Sequence, residues 1–206
     1  SVLLGGGLVA VARSGAGKMA SESNASLTAL LFSVLTAAAL LLPTILGLLA
    51  DLSAENEALL QDLFMHSLRA FIIIAVMINV LLTVAQRKGE TIQASNWFVF
   101  MALASFIFGS QFRFFGELAD VTQVVWLGER MTQSWVMISL FFAVAYHLVP
   151  RAASRPIWSD SMTKASMLLL FMTLPPFMMS SADAGTLLEN LGAILMTLSL
   201  LPIFAG

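Results

Sequence analysis

Long runs of uncharged, mostly apolar residues alternate with short polar segments along this chain. The runs cover roughly 26–50, 63–85, 92–112, 131–149, 160–180 and 187–205. Each is near the ~20 residues that a helix needs to cross the hydrocarbon core of a bilayer. None shows the alternation of a barrel strand, and a backbone inside lipid must then satisfy its own hydrogen bonds as a helix. The pattern therefore predicts an all-α, polytopic membrane helix bundle of about six transmembrane helices, forming a single membrane domain over 1–206. Residues 1–12 are apolar but too short to span, and no basic region precedes them as in a signal peptide. They are expected to be a remnant, and with the apolar ending "GAILMTLSLLPIFAG" they suggest part of a longer chain. Pro43, Pro175, Pro176 and Pro202 fall in or beside the runs and are expected to kink or end the helices.

Composition sharpens this picture. The chain is 59% hydrophobic and 11% charged, with a mean hydropathy of +0.91. A soluble domain carries about 25% charged residues, so the outside of this one has to meet lipid. No cluster of Lys and Arg points to nucleic acid, and the absence of Cys excludes disulfides, thiolate metal sites and cysteine nucleophiles. "ARSGAGKM" (12–19) only glances at a phosphate-binding loop: Ala12 and Met19 stand where Gly and Ser or Thr are needed, so it reads as a turn.

The charges set an orientation. Arg13 and Lys18 precede the first full run, Arg87 and Lys88 follow the second, and Arg151, Arg155 and Lys164 follow the fourth. The segment "DLSAENEALLQD" (51–62) holds four acids and no basic residue. The positive-inside rule then places the segment after residue 12 and loops 86–91 and 150–164 in the cytoplasm of a bacterial-type inner membrane. Trp97, Trp126, Trp135 and Trp158 lie near predicted helix ends, as an interfacial aromatic belt requires. The 12 Met are scattered; Met178-Met179 is a formal Cu(I) candidate, but core filling is the expected role.

Polar residues inside the runs are few. Arg69, Asn79, Gln111, Arg113, Gln133 and Ser134 are read as hydrogen-bonding glue between helices, with a proton path as the sharper alternative. Arg113, Glu117, Asp120, Glu129 and Arg130 are expected to form a mixed-charge cluster on the outer face.

Three stretches together resemble one family. "VAQRKGETIQASNWF" (84–98) looks like an interhelical loop in subunit I of the cbb-type cytochrome c oxidases, the C branch of the haem–copper oxidases. "YHLVPRAASRPIWSD" (146–160) is similar to that subunit's Pro-rich turn, and "LENLGAILMTLSLLPIFAG" (188–206) resembles its next helix. The likeness covers most of the chain and corresponds to a central block of a larger subunit. It implies a fold like that of haem–copper oxidase subunit I.

The same likeness implies that the ligands are gone. Where the family's helix carries a copper-binding His, this sequence has Arg130, which has no lone pair to offer a metal. The family's His-His pair matches Phe177-Met178 or Ser180-Ser181, and its cross-linked tyrosine is missing because Tyr146 is the single Tyr. No metal site and no cofactor are expected within these residues. His66 and His147 are weak haem candidates, and the family's own haem ligands fall outside the sequence. Pro150, Arg151, Arg155 and Pro156 are read as a structural motif that packs two helices together, the arginines meeting helix carbonyls or anionic lipid headgroups and Ser159 or Asp160 capping the next helix.

Function then has three readings. The chain is a non-catalytic, oxidase-subunit-I-like accessory subunit of a respiratory or photosynthetic electron-transfer complex. Its partners in that case are other integral membrane subunits and membrane lipid. Alternatively it is a fragment or split half of a divergent cbb-type cytochrome c oxidase, whose haem and copper ligands lie in other residues or chains. A transporter, with broken helices and converging polar groups, is the third.

Overall fold

The computed structural model describes residues 2–14, 18–49, 54–87, 92–155, 159–179 and 186–205. Among them every regular element is a helix. The helices are α1 (Val2–Ser14), α2 (Glu22–Leu49), α3 (Ala54–Ala85), α4 (Ala94–Leu118), α5 (Thr122–Arg130), α6 (Val136–Ala152), α7 (Asp160–Met179) and α8 (Thr186–Ala205). A π-helical turn, Met131–Trp135, joins α5 to α6 without a break. Each predicted run overlaps one of these helices over most of its described length, the fourth beginning in the π-helical turn. By length and composition, three stretches among the described residues suffice to cross a membrane: Ser67–Ala85, Ala94–Leu118 and Thr122–Ala152.

The distribution of side chains is that of a protein turned toward lipid. On α3, Phe71, Ile74, Ile78, Leu81 and Leu82 are exposed while Asn79 and Thr83 are buried. The same inversion recurs across the bundle. Phe108, Phe115, Phe141, Val149, Leu168 and Phe171 face outward, while Asn96, Ser105, Ser110, Ser139, Ser166 and Thr173 face inward. Water would reverse that arrangement, because apolar burial is the main driving force there. In hydrocarbon an outward Phe costs nothing and an outward Asn would lack partners.

Several boundaries differ from the sequence expectation, each for a physical reason. Residues 54–62, expected in a polar loop, open α3; Ala, Glu, Leu and Gln are strong helix formers whatever their polarity. The helices run through Pro43, Pro175, Pro176 and Pro202 instead of ending there. Each proline removes one backbone bond, and in an apolar surrounding the remaining groups have no better partner than the helix. The polar segment 113–130 is a tight helical hairpin, its only non-helical residues being Ala119–Val121.

The short α1 is more than a remnant. Ala10 and Val11 are fully buried. A Cβ on Gly7 would sit 3.2 Å from Val99 and 3.3 Å from Leu140, and one on Gly6 would sit 3.0 Å from Val144. The "GGG" stretch thus lets α1 settle into the groove between α4 and α6. Val11 belongs to the main apolar cluster, with Val76, Val80, Phe98, Leu103, Phe142 and Leu170. Phe98 of α4 stacks on both Phe142 and Tyr146 of α6, at 5.4 and 5.3 Å between ring centroids.

Glycines also set the α4–α5 contact. A Cβ on Gly109 would approach Met131 Cβ to 2.7 Å, and one on Gly116 would approach the Val125 backbone N to 2.6 Å. On Gly128 it would overlap the backbone N of Arg113 and lie 2.5 Å from the carbonyl O of Gly109. The two helices therefore touch backbone to backbone, the close approach that small residues permit in membranes.

Candidate functional site

The antiparallel course of the helices gathers the ends of α1, α3 and α6 with the starts of α2, α4 and α7 at one end of the bundle. Arg13, Lys18, Arg87, Arg151, Arg155 and Lys164 are all there. So is His147, which is buried. Arg151 follows it by one helical turn and places Nη1 2.7 Å from His147 Nε2. A guanidinium only donates, so Nε2 is the acceptor and the ring proton sits on Nδ1. Arg13 ends α1 at the same level, since Gly6 packs against Val144 and Arg13 and Arg151 each lie about two turns further along their helices. Among the described residues, no carboxylate pairs with Arg13 or Arg151.

Pro150 lies inside α6 rather than breaking it. The helix ends two residues later in a Schellman turn. The N–H of Arg155 donates to the carbonyl of Pro150 at 3.0 Å, and that of Ser154 to the carbonyl of Arg151 at 3.2 Å. Ser154 takes φ +53°, the left-handed conformation that this cap requires. The turn is thus made by backbone groups, and the Arg151 side chain turns to His147 instead of a helix carbonyl. Pro156 and Trp158 lie outside the described residues. Beyond them Ser159 caps α7, its Oγ accepting from the N–H of Met162 at 3.4 Å.

The Tyr146 hydroxyl is buried and points at Ser166 and Thr163 of α7, without reaching hydrogen-bond geometry. Ser166 donates to the carbonyl of Ser199 on α8, and Thr163 to the carbonyl of Ser159. Both hydroxyls end on backbone carbonyls, which cannot pass a proton onward.

The polar residues singled out from sequence divide in two. Asn79 is glue, though between a helix and a linker: its Oδ1 accepts from the N–H of Ser21 at 3.0 Å and its Nδ2 donates to the carbonyl of Ser21 at 2.9 Å. One turn on, Thr83 accepts from the N–H of Ala20 at 2.8 Å and donates to the carbonyl of Asn79 at 2.7 Å. Gln111 and Gln133 are exposed. At the far end of the bundle, Arg113 bonds Glu117 at 2.8 Å and reaches Glu129 at 3.8 Å. Arg130 lies instead over the Trp126 ring, 5.1 Å from its centroid, and Asp120 stands exposed at φ +53° in the α4–α5 turn.

Arg130, at the position the family resemblance gives to a copper-binding His, is the last residue before the π-helical turn. Trp135, expected in an interfacial belt, is fully buried in that turn. The helical path starts at Thr122, so Trp135 lies about 20 Å along it, at 1.5 Å per residue. His66 is on α3, and its side chain lies outside the described residues, as do those of Phe177, Met178 and Met179. Ser180 and Ser181 lie outside them entirely. Among the described residues no three His, Asp or Glu side chains converge as a metal site would need. No family model matches the chain, and neither a curated protein nor a solved structure does.

Proposed function

We propose that this chain is a non-catalytic membrane subunit, similar to the central helices of cbb-type oxidase subunit I, that packs within a larger respiratory or photosynthetic electron-transfer complex. In this reading about six helices cross a bacterial-type inner membrane, with loops 86–91 and 150–164 in the cytoplasm. The supporting observation is how the interior polar groups are used. Asn79, Thr83 and Ser166 bond backbone groups of other segments, which ties the bundle together, and among the described residues no three His, Asp or Glu side chains converge. Around that interior is a broad apolar surface suited to lipid and to neighbouring subunits.

The test is purification of the tagged full chain from its native membranes in mild detergent. Co-purification of other integral subunits in fixed ratio, with haem and copper assigned to those subunits, supports the accessory role. A lone chain, or one that itself holds stoichiometric haem or copper, overturns it. Haem held by His147 or His66 would favour the split-oxidase reading.

A further inference from the structure

The cationic end of the bundle carries an inference independent of the complex it joins. Arg13 and Arg151 come from neighbouring helices, each about two turns beyond the contact of Gly6 with Val144, and Arg151 bonds the buried imidazole of His147. Both arginines are exposed, and among the described residues neither has a carboxylate partner. Two like charges held near each other at the edge of an apolar medium repel, because water screens them poorly there. His147 adds no negative charge: it accepts one Arg151 N–H and fixes the guanidinium, whose other donors remain available.

The nearby surface is apolar. Leu148 and Val149 neighbour His147 and are about half exposed, and Val9 stands one turn below Arg13 on α1 and is likewise half exposed. Lys18 and Lys164, both exposed, add positive charge at the same end. The nearest acids by sequence are Glu22 and Asp160, at the starts of α2 and α7. We propose that an anionic phospholipid seats here, its phosphate held between Arg13 and Arg151 and its acyl chains lying against Val9, Leu148 and Val149. Guanidinium donors match phosphate oxygens in a forked geometry, and a basic residue near an anionic membrane surface strengthens attachment about fivefold.

The experiment uses the full chain in a zwitterionic detergent. Thermal unfolding is followed while phosphatidylglycerol, phosphatidylcholine or inorganic phosphate is added, and native mass spectrometry records the lipid that stays bound. Phosphatidylglycerol should raise the melting temperature and remain as a bound adduct, with phosphatidylcholine and phosphate giving much less. The double variant R13Q/R151Q should lose the adduct and bind phosphatidylglycerol roughly 25-fold more weakly. The single variant R130Q, at the opposite end, should retain it. Equal responses to the two lipids would overturn the proposal, as would equal stabilisation by inorganic phosphate or undiminished binding by the double variant. If the double variant fails to fold, the wild-type lipid comparison still decides, because salt should weaken phosphatidylglycerol binding and leave phosphatidylcholine binding unchanged.

Discussion

Asn79 pairs both atoms of its side-chain amide with the backbone N–H and carbonyl of one residue, Ser21. The amide acts toward the linker as a neighbouring β-strand would. It fixes where the chain leaves the α1 end and enters α2, in a place where unpaired backbone groups would be costly. Asn79→Leu should destabilise the protein by about 1–2 kcal/mol, since two bonds are lost and two backbone groups are stranded. Asn79→Asp should be no better at alkaline pH, where an ionised carboxylate cannot donate to the Ser21 carbonyl. Chemical denaturation in mixed micelles would measure both, and an Asp variant as stable as the parent at that pH would disprove the two-way pairing.

Gly128 should tolerate no side chain. An added Cβ overlaps the Arg113 backbone N, and no flexible side-chain end is available to give way. Gly128→Ala is expected to cost on the order of 1–3 kcal/mol, and Gly128→Val more, by prising α4 from α5. A melting temperature unchanged by Gly128→Ala would mean that the two helices are not in backbone contact.

Ser154 offers the opposite sign. It holds φ +53° in the turn after α6, where a residue with a Cβ is disfavoured by roughly 1 kcal/mol and Gly is not. Ser154→Gly should stabilise by up to about 1 kcal/mol, and Ser154→Val should destabilise, because a β-branched residue is least at ease there. Asp120, at the same φ in the α4–α5 turn, should respond alike. A melting-temperature series across the three side chains at position 154 checks the order Gly above Ser above Val.

Orientation is open to direct measurement. The Lys and Arg asymmetry predicts that a cysteine at Gly89 is labelled only from the cytoplasmic side and one at Ser53 only from the outside. These 206 residues contain no Cys, so single introduced thiols report without background from them. Cytoplasmic labelling at Ser53 would reverse the assignment.

Much of the fold is legible from apolar runs, because a helix in lipid needs little beyond length and hydrophobicity. Polarity was a poor guide to helix ends: Glu55 and Glu57 sit in α3, and Pro150 sits inside α6, since neither a charge nor a late proline by itself stops a helix. Trp135 misled because the true start of its helix lies upstream at Thr122, after a turn built from backbone bonds that leave no residue signature beyond Asp120. The glycines at 109, 116 and 128 were the more readable missed signal, since 109 and 116 are seven residues apart and fall on one helical face. At the candidate site, His147, Arg151 and Arg155 are legible in the sequence, but the place of Arg13 at the same end of the bundle is not. It depends on α1 packing into the bundle, which a run of 12 residues, too short to span, does not announce.

The outward apolar face and the backbone-to-backbone seam between α4 and α5 imply opposite evolutionary freedoms. At Phe108, Phe141 or Leu168, exchange among Leu, Ile, Phe and Met alters only which hydrocarbon meets lipid, so selection there reads a property and not an identity. At Gly109, Gly116 and Gly128, selection reads a single atom. Sequences descended from a common ancestor with this chain would therefore drift fastest where the protein is most hydrophobic and stay fixed at its smallest residues, and a saturation library scored for membrane abundance would reproduce that history in one experiment.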